Sequence, residues 1–226
     1  LFKNRMAGCE CEKVNLVLFL RFVYMETLLA ASLAASRPPH LVQLIIDDLG
    51  YADHTIPTSP ALPPDIPTPT LRKMADAGVR LSSYYVQPVC SPTRSALTTG
   101  RFPFRDGMQH EGTIAPASTA HLPLATPTAA ELLAQRNYET HAIGKWHLGY
   151  ASWAFTPLSR GFSSFTGYLQ GAVDYYNKTM GPGQQNPGRK AIVGFDFWRG
   201  NSSAARAPQL EQFREAVGVY SLDEYR

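Results

Sequence analysis

Residues 128–147 read TAAELLAQRNYETHAIGKWH, and the order of signals in this stretch decides the fold class. Thr128 to Arg136 reads as a helix, with Glu131 near its start where an acidic residue suits the first turn. Tyr138 to Ile143 then reads as a strand, and it ends on Gly144-Lys145-Trp146-His147. Upstream, Leu41 to Ile46 (LVQLII) is a short, unbroken apolar run, as expected of a buried parallel strand. It ends on Asp47-Asp48-Leu49-Gly50. Pro57 to Pro69 holds six prolines and must be loop. Thr70 to Gly78 reads as a helix closed by its glycine, and Val79 to Val86 as a strand. A further helix is expected to start near Ser91-Pro92, because proline suits a first helical turn. Strand and helix alternate, so the predicted fold is α/β, a mostly parallel sheet covered by helices. Beyond Gly161 the pattern weakens into Tyr, Gly and Asn.

Composition narrows the function classes. Of 226 residues, 44% are hydrophobic and 17% charged, enough apolar material for a core and too much for a disordered chain. The net charge of +3 is mild and dispersed, so nucleic acid is not an expected partner. Three cysteines cannot build a disulfide framework.

The first 37 residues stand apart. Val14 to Ala35 is strongly apolar but interrupted by Arg21 and Glu26. A charge at the centre of a spanning helix costs about 2.5–3.5 kcal/mol. Lys13 before the apolar stretch and LAASLAAS before Arg37 match a secretory signal. An ordinary buried helix and a retained anchor are the alternatives, and membrane association is not expected. Residues 38–226 are expected to form the folded α/β part. Two sequons, Asn177-Lys178-Thr179 and Asn201-Ser202-Ser203, agree with export.

Three polar clusters follow predicted strands or open predicted helices, where α/β folds place their sites. Asp47 and Asp48 repel each other. A hard divalent cation would compensate them, and a solvated turn or helix cap is the alternative. Cys90 precedes a helix start that favours an anion, and Arg94 lies one turn along the same face. That reads as a nucleophile beside an oxyanion-gripping guanidinium, or as a buried cysteine with a surface arginine. Lys145 and His147 would point the same way on an extended segment, one giving positive charge and the other proton transfer. A surface loop is the alternative there.

Cys90-Ser91-Pro92-Thr93-Arg94, with Thr99-Gly100-Arg101 just after, resembles the sulfatase signature Cys-x-Pro-x-Arg followed by Thr-Gly-Arg. Asp47-Asp48-Leu49-Gly50 resembles the metal-binding strand end of the same family, and Gly144-Lys145-Trp146-His147 its second signature. All three stand in the family's order, over about Pro39 to Tyr176. Tyr84-Tyr85, Gln87-Pro88, Gln109-His110 and Asp174-Tyr175-Tyr176 look most like the arylsulfatase B branch. Thr98 and Asn137 depart slightly from the family pattern.

The resemblance implies an alkaline-phosphatase-like sulfatase fold and a sulfuric ester hydrolase that uses calcium. In sulfatases the signature cysteine is oxidised to formylglycine by an enzyme of the secretory pathway, and its hydrated aldehyde attacks the sulfur of a sulfate ester. Carried over by motif, Cys90 is the formylglycine precursor and a metal ligand, while Asp47 and Asp48 are calcium ligands. Arg94 steadies the nucleophile, Lys145 contacts sulfate and His147 handles the proton. The implied partners are a sulfated small molecule or sulfated glycan and the formylglycine-generating enzyme. The implied location is the secretory pathway, lysosomal or extracellular. The family's later ligands have no clear counterpart, Asp196 and Asp223 being candidates by residue type only. The chain is therefore expected to be the N-terminal half of a sulfatase. A related phosphate or phosphonate ester hydrolase, or an inactive truncated relative, are the alternatives.

Overall fold

The structure is a computed structural model that describes residues 38–50, 53–54, 56, 66–109, 114–180, 194–203 and 206–219. The signal-like segment 1–37, the loop core 57–65 and Asp223 lie outside the described residues. The chain divides into two units, Leu1–Leu49 and Gly50–Arg226.

In the first unit, residues 41–46 carry no strand. Leu41 and Val42 are 61% and 93% exposed, so the expected buried parallel strand is corrected. An apolar run becomes a strand only where another strand supplies hydrogen bonds, and none of the described strands pairs with this one. Asp47 and Asp48 form a turn, with Asp48 in the left-handed region at φ 57°.

The second unit opens with helix α1, Pro69–Ala77, started by a proline that needs no hydrogen-bond acceptor there. Its C-cap Gly78 is extended at φ −122°, so the helix does not use a left-handed glycine stop. The strand expected over Val79–Val86 is absent, and Val79 and Tyr85 are exposed. The reason is the same lack of a pairing neighbour. Helix α2 spans Cys90–Thr99 and does close on a left-handed glycine. Gly100, at φ 68°, donates its N–H to the Ala96 carbonyl at 2.8 Å. Helix α3, Ala129–Ala134, is shorter than expected but carries a full capping box. Thr128 Oγ1 accepts from the Glu131 N–H at 3.1 Å, and Glu131 accepts from the Thr128 N–H at 2.7 Å.

Four strands form one sheet in the order β1 (His141–Lys145), β2 (Ser164–Tyr168), β3 (Trp198–Ser203), β4 (Arg206–Gln212). Only β1 and β2 run parallel; β2–β3 and β3–β4 are antiparallel. The mostly parallel sheet expected from the sequence is thus a mixed sheet among the described residues. A parallel pair needs a crossover, and here it is built of 3-10 turns, Trp153–Phe155 and Pro157–Arg160, instead of an α-helix. Leu122, Trp146, Leu148, Leu158, Leu169 and Phe165 of β2 form the centre of the core.

One buried cation ties the crossover to α3. Arg160, 1% exposed, pairs through Nε with Glu131 at 2.9 Å. Its other nitrogens donate to the Leu122 and Thr126 carbonyls at 3.2 and 2.7 Å. Thr128 Oγ1 donates to the Arg160 carbonyl at 2.9 Å. The capping box is therefore also the socket of the arginine.

Candidate functional site

Cys90 is the first residue of α2, preceded by the extended Val89 and half-buried. A residue there sits among backbone N–H groups that have no acceptor within the helix, so negative charge at its side chain is stabilised. Arg94 follows one turn later and is buried, not the surface arginine of the alternative reading. Its Nη1 donates to the Lys145 carbonyl at 2.6 Å, across 51 residues of chain. The first turn of α2 is thereby fixed to the C-terminal end of β1. Thr93 Oγ1 secures the approach to the helix through the Gln87 and Val89 carbonyls, both at 2.9 Å.

Lys145 ends β1 opposite Tyr168 and is half-buried. Pairing runs on past the strand. Trp146 N–H reaches the Tyr168 carbonyl at 2.9 Å and His147 N–H the Leu169 carbonyl at 3.1 Å. His147, however, lies in the left-handed region at φ 57°. The alternation expected of an extended segment does not hold there, because the chain turns at the histidine. The ring is buried, 4% exposed, and its Nε2 is 2.9 Å from the Ile114 carbonyl. A carbonyl can only accept, so Nε2 carries the hydrogen. On the neutral ring Nδ1 then carries the lone pair. Neither member of the pair is the surface loop of the alternative reading.

Two positioning residues escaped the sequence. Ser91, 1% exposed, accepts the Ile114 N–H at 3.1 Å while the Ile114 carbonyl faces His147. The residue after Cys90 thus steadies the histidine through one peptide unit. Gly171 packs directly on the ring, since a Cβ there would lie 2.8 Å from His147 Cε1. Neither a serine in a helix nor a lone glycine has a sequence signal that singles it out.

Asp196, a candidate ligand by type, is spent on structure. Its Oδ1 accepts from the Leu169 N–H at 3.0 Å and from Trp198 Nε1 at 2.7 Å, and its Oδ2 accepts from the Gln170 N–H at 2.8 Å. It holds the segment that in turn takes the His147 N–H. Burial pushes its carboxyl above the ordinary value of 3.8, against the three hydrogen bonds that favour the anion. Its stabilising contribution is complete below the ordinary value and is lost as pH rises through the elevated folded-state value. Asp196→Asn is expected to remove that slope from a plot of unfolding free energy against pH. At neutral pH it is expected to cost about 1–3 kcal/mol, because an amide cannot accept all three donors. A variant with the parent's slope and stability would show the carboxylate to be dispensable. Burial likewise raises the Tyr150 hydroxyl, which accepts the Ala117 N–H.

The Sulfatase family model matches residues 39–217. Mouse (Mus musculus) arylsulfatase J is 38% identical over 176 residues, 77% of this chain and 27% of that protein. Human (Homo sapiens) arylsulfatase A is 45% identical over 141 residues, 62% of this chain and 27% of that protein. Among solved structures, Ps i-CgsB superposes with a TM-score of 0.57 at 31% identity, covering 79% of this chain and 37% of its own. The chain belongs to the sulfatase family, and its α/β unit is part of the alkaline-phosphatase-like sulfatase fold. It spans about a quarter of the length of the two arylsulfatases.

Proposed function

We propose that the protein containing this chain hydrolyses sulfate esters, with Cys90 as the precursor of its nucleophile. The observation that carries the reading is Cys90 at the head of α2, with the buried Arg94 guanidinium one turn along and anchored to the end of β1. The donor chemistry fits the family's groups. Cys90 is a half-buried thiol at a helix N-terminus, and Asp47 and Asp48 are adjacent exposed carboxylates, the hard oxygen donors that calcium prefers. Asp47, Asp48 and the oxidised Cys90 would hold the cation. Formylglycine supplies an oxygen nucleophile and calcium supplies positive charge against the sulfate oxygens.

The chain's own groups do the rest. Arg94 lends its charge to the head of α2, where negative charge develops on the side chain of residue 90. Lys145 offers an ammonium to the substrate's sulfate. His147, with Nε2–H directed at the Ile114 carbonyl, takes and returns a proton at Nδ1. The substrate is a sulfated small molecule or a sulfated glycan. Support for the glycan comes from the Ps i-CgsB structure in complex with k-i-k-neocarrahexaose. Residues 1–37 act as the export leader to the secretory pathway, where the formylglycine-generating enzyme works and from which the product reaches a lysosome or the exterior. Within the family, the arylsulfatase B branch is the reading that Tyr84-Tyr85 and Asp174-Tyr175-Tyr176 support.

The full-length protein, exported from cells that contain the modifying enzyme, is expected to turn over a chromogenic sulfate ester faster than the matching phosphate ester. Asp47→Asn and Asp48→Asn are each expected to weaken calcium binding on the order of tenfold, about 1.4 kcal/mol. Preference for the phosphate ester, or unchanged calcium affinity by calorimetry in both variants, would set the reading aside.

A further inference from the structure

His147 is held by two lengths of backbone, and one side chain meets both. On one side the Leu169 carbonyl takes the His147 N–H, and Gly171 packs on the ring. On the other the Ile114 carbonyl faces Nε2. The Ile114 side chain is buried in the core, but the backbone after it bends sharply. Ser118 N–H donates to the Ala115 carbonyl at 3.1 Å, closing a turn with Pro116 second and Ala117 third. Ala117 stands in the left-handed region at φ 57°. Proline second and a left-handed third residue is the type II pattern, whose third position favours glycine. Alanine there is disfavoured by its Cβ. The turn gains support from outside, because the Tyr150 hydroxyl accepts the Ala117 N–H.

The Tyr150 ring packs against the core cluster. Gly149 before it, at φ 116°, lets the chain pass where a Cβ would lie 2.4 Å from His121 Cβ. Burial raises the Tyr150 hydroxyl, so it keeps its own hydrogen at neutral pH. The buried Gln170 side chain lies beside that hydroxyl, and the Gln170 N–H is the one that Asp196 Oδ2 holds at 2.8 Å. Tyr150 thus meets the loop that carries Ile114 and the segment 169–171.

From this we infer that Tyr150 is a positioning residue for His147. By holding Ala117 it fixes the turn, and the turn fixes the Ile114 carbonyl that keeps the hydrogen on Nε2. With the hydrogen there, Nδ1 offers the lone pair that proton transfer needs. Without the hydroxyl the turn relaxes, the carbonyl leaves Nε2 and the ring samples both tautomers. The form with hydrogen on Nδ1 cannot take a proton there. Ser91 is no substitute. It binds the Ile114 N–H, whereas the carbonyl belongs to the next peptide, on the Ala117 side.

The inference rests on the proton role proposed for His147, so the test reads the ring directly as well as turnover. Tyr150→Phe in the full-length exported protein keeps the packed ring and removes only the hydroxyl. The kcat for a chromogenic sulfate ester is expected to fall about tenfold with KM within about twofold, since proton transfer suffers and sulfate binding does not. Nitrogen NMR of the His147 ring is expected to show the hydrogen on Nε2 in the parent and a mixture of tautomers in the variant. Amide exchange over residues 114–118 is expected to quicken about tenfold in the variant, with α2 unchanged. A variant that keeps the parent's kcat, or the single Nε2–H form, overturns the assignment. Exchange that quickens through α2 as well also overturns it, because the hydroxyl would then be a general prop. A parent without sulfate ester turnover fails the sulfatase reading alone, and the ring nitrogens then decide the role of Tyr150 by themselves.

Discussion

Cys90→Ala in the full-length protein is expected to abolish sulfate ester hydrolysis, a fall of at least about a thousandfold, the scale on which loss of a covalent nucleophile acts. Alanine cannot be oxidised to an aldehyde, so no oxygen nucleophile forms at the head of α2. In the parent, the peptide holding Cys90 is expected to be lighter than its cysteine form through loss of the thiol, and in the variant no such change is possible. Cys90 is only half-buried, so the substitution is expected to leave the thermal midpoint near the parent's. Activity near the parent level in a folded variant would exclude a covalent role for residue 90.

Glu131→Ala is expected to be the most damaging substitution for stability, at about 3–5 kcal/mol by urea unfolding. It strips the capping box from α3 and leaves the Arg160 guanidinium buried without its carboxylate. Against a typical total of about 5–15 kcal/mol, that is a large share of the stability margin. The double variant Glu131→Ala, Arg160→Met is expected to be more stable than Glu131→Ala alone, because the uncompensated charge has gone. A double variant no more stable than the single one would mean that Arg160 is not held by this pair.

Helix signals were legible because they are local. Ser91-Pro92 marked the start of α2, and Thr128 with Glu131 marked that of α3; caps and first-turn residues act within one turn. Strand signals were not, because an apolar run states a wish for partners without naming them. Leu41–Ile46 and Val79–Val86 read as strands and pair with none of the described ones, while Trp198–Ser203, rich in polar residues, is the paired centre of the hairpin sheet. At the site, the residue types were legible and their orientations were not. Cys90 and Arg94 kept their helical spacing. The left-handed turn at His147 and the burial of Asp196 depend on Leu169, Gln170 and Ile114, which lie far off in sequence.

The bond from Arg94 to residue 145 ends on a main-chain oxygen. Every amino acid offers that oxygen, so the anchor is blind to what side chain position 145 carries. Architecture and charge are consequently separable at this position. The lysine can be exchanged over evolutionary time, or by an engineer seeking a different anion, while the guanidinium keeps its seat. Arg94 has no such latitude, since no other residue combines that reach with a permanent charge and several donors.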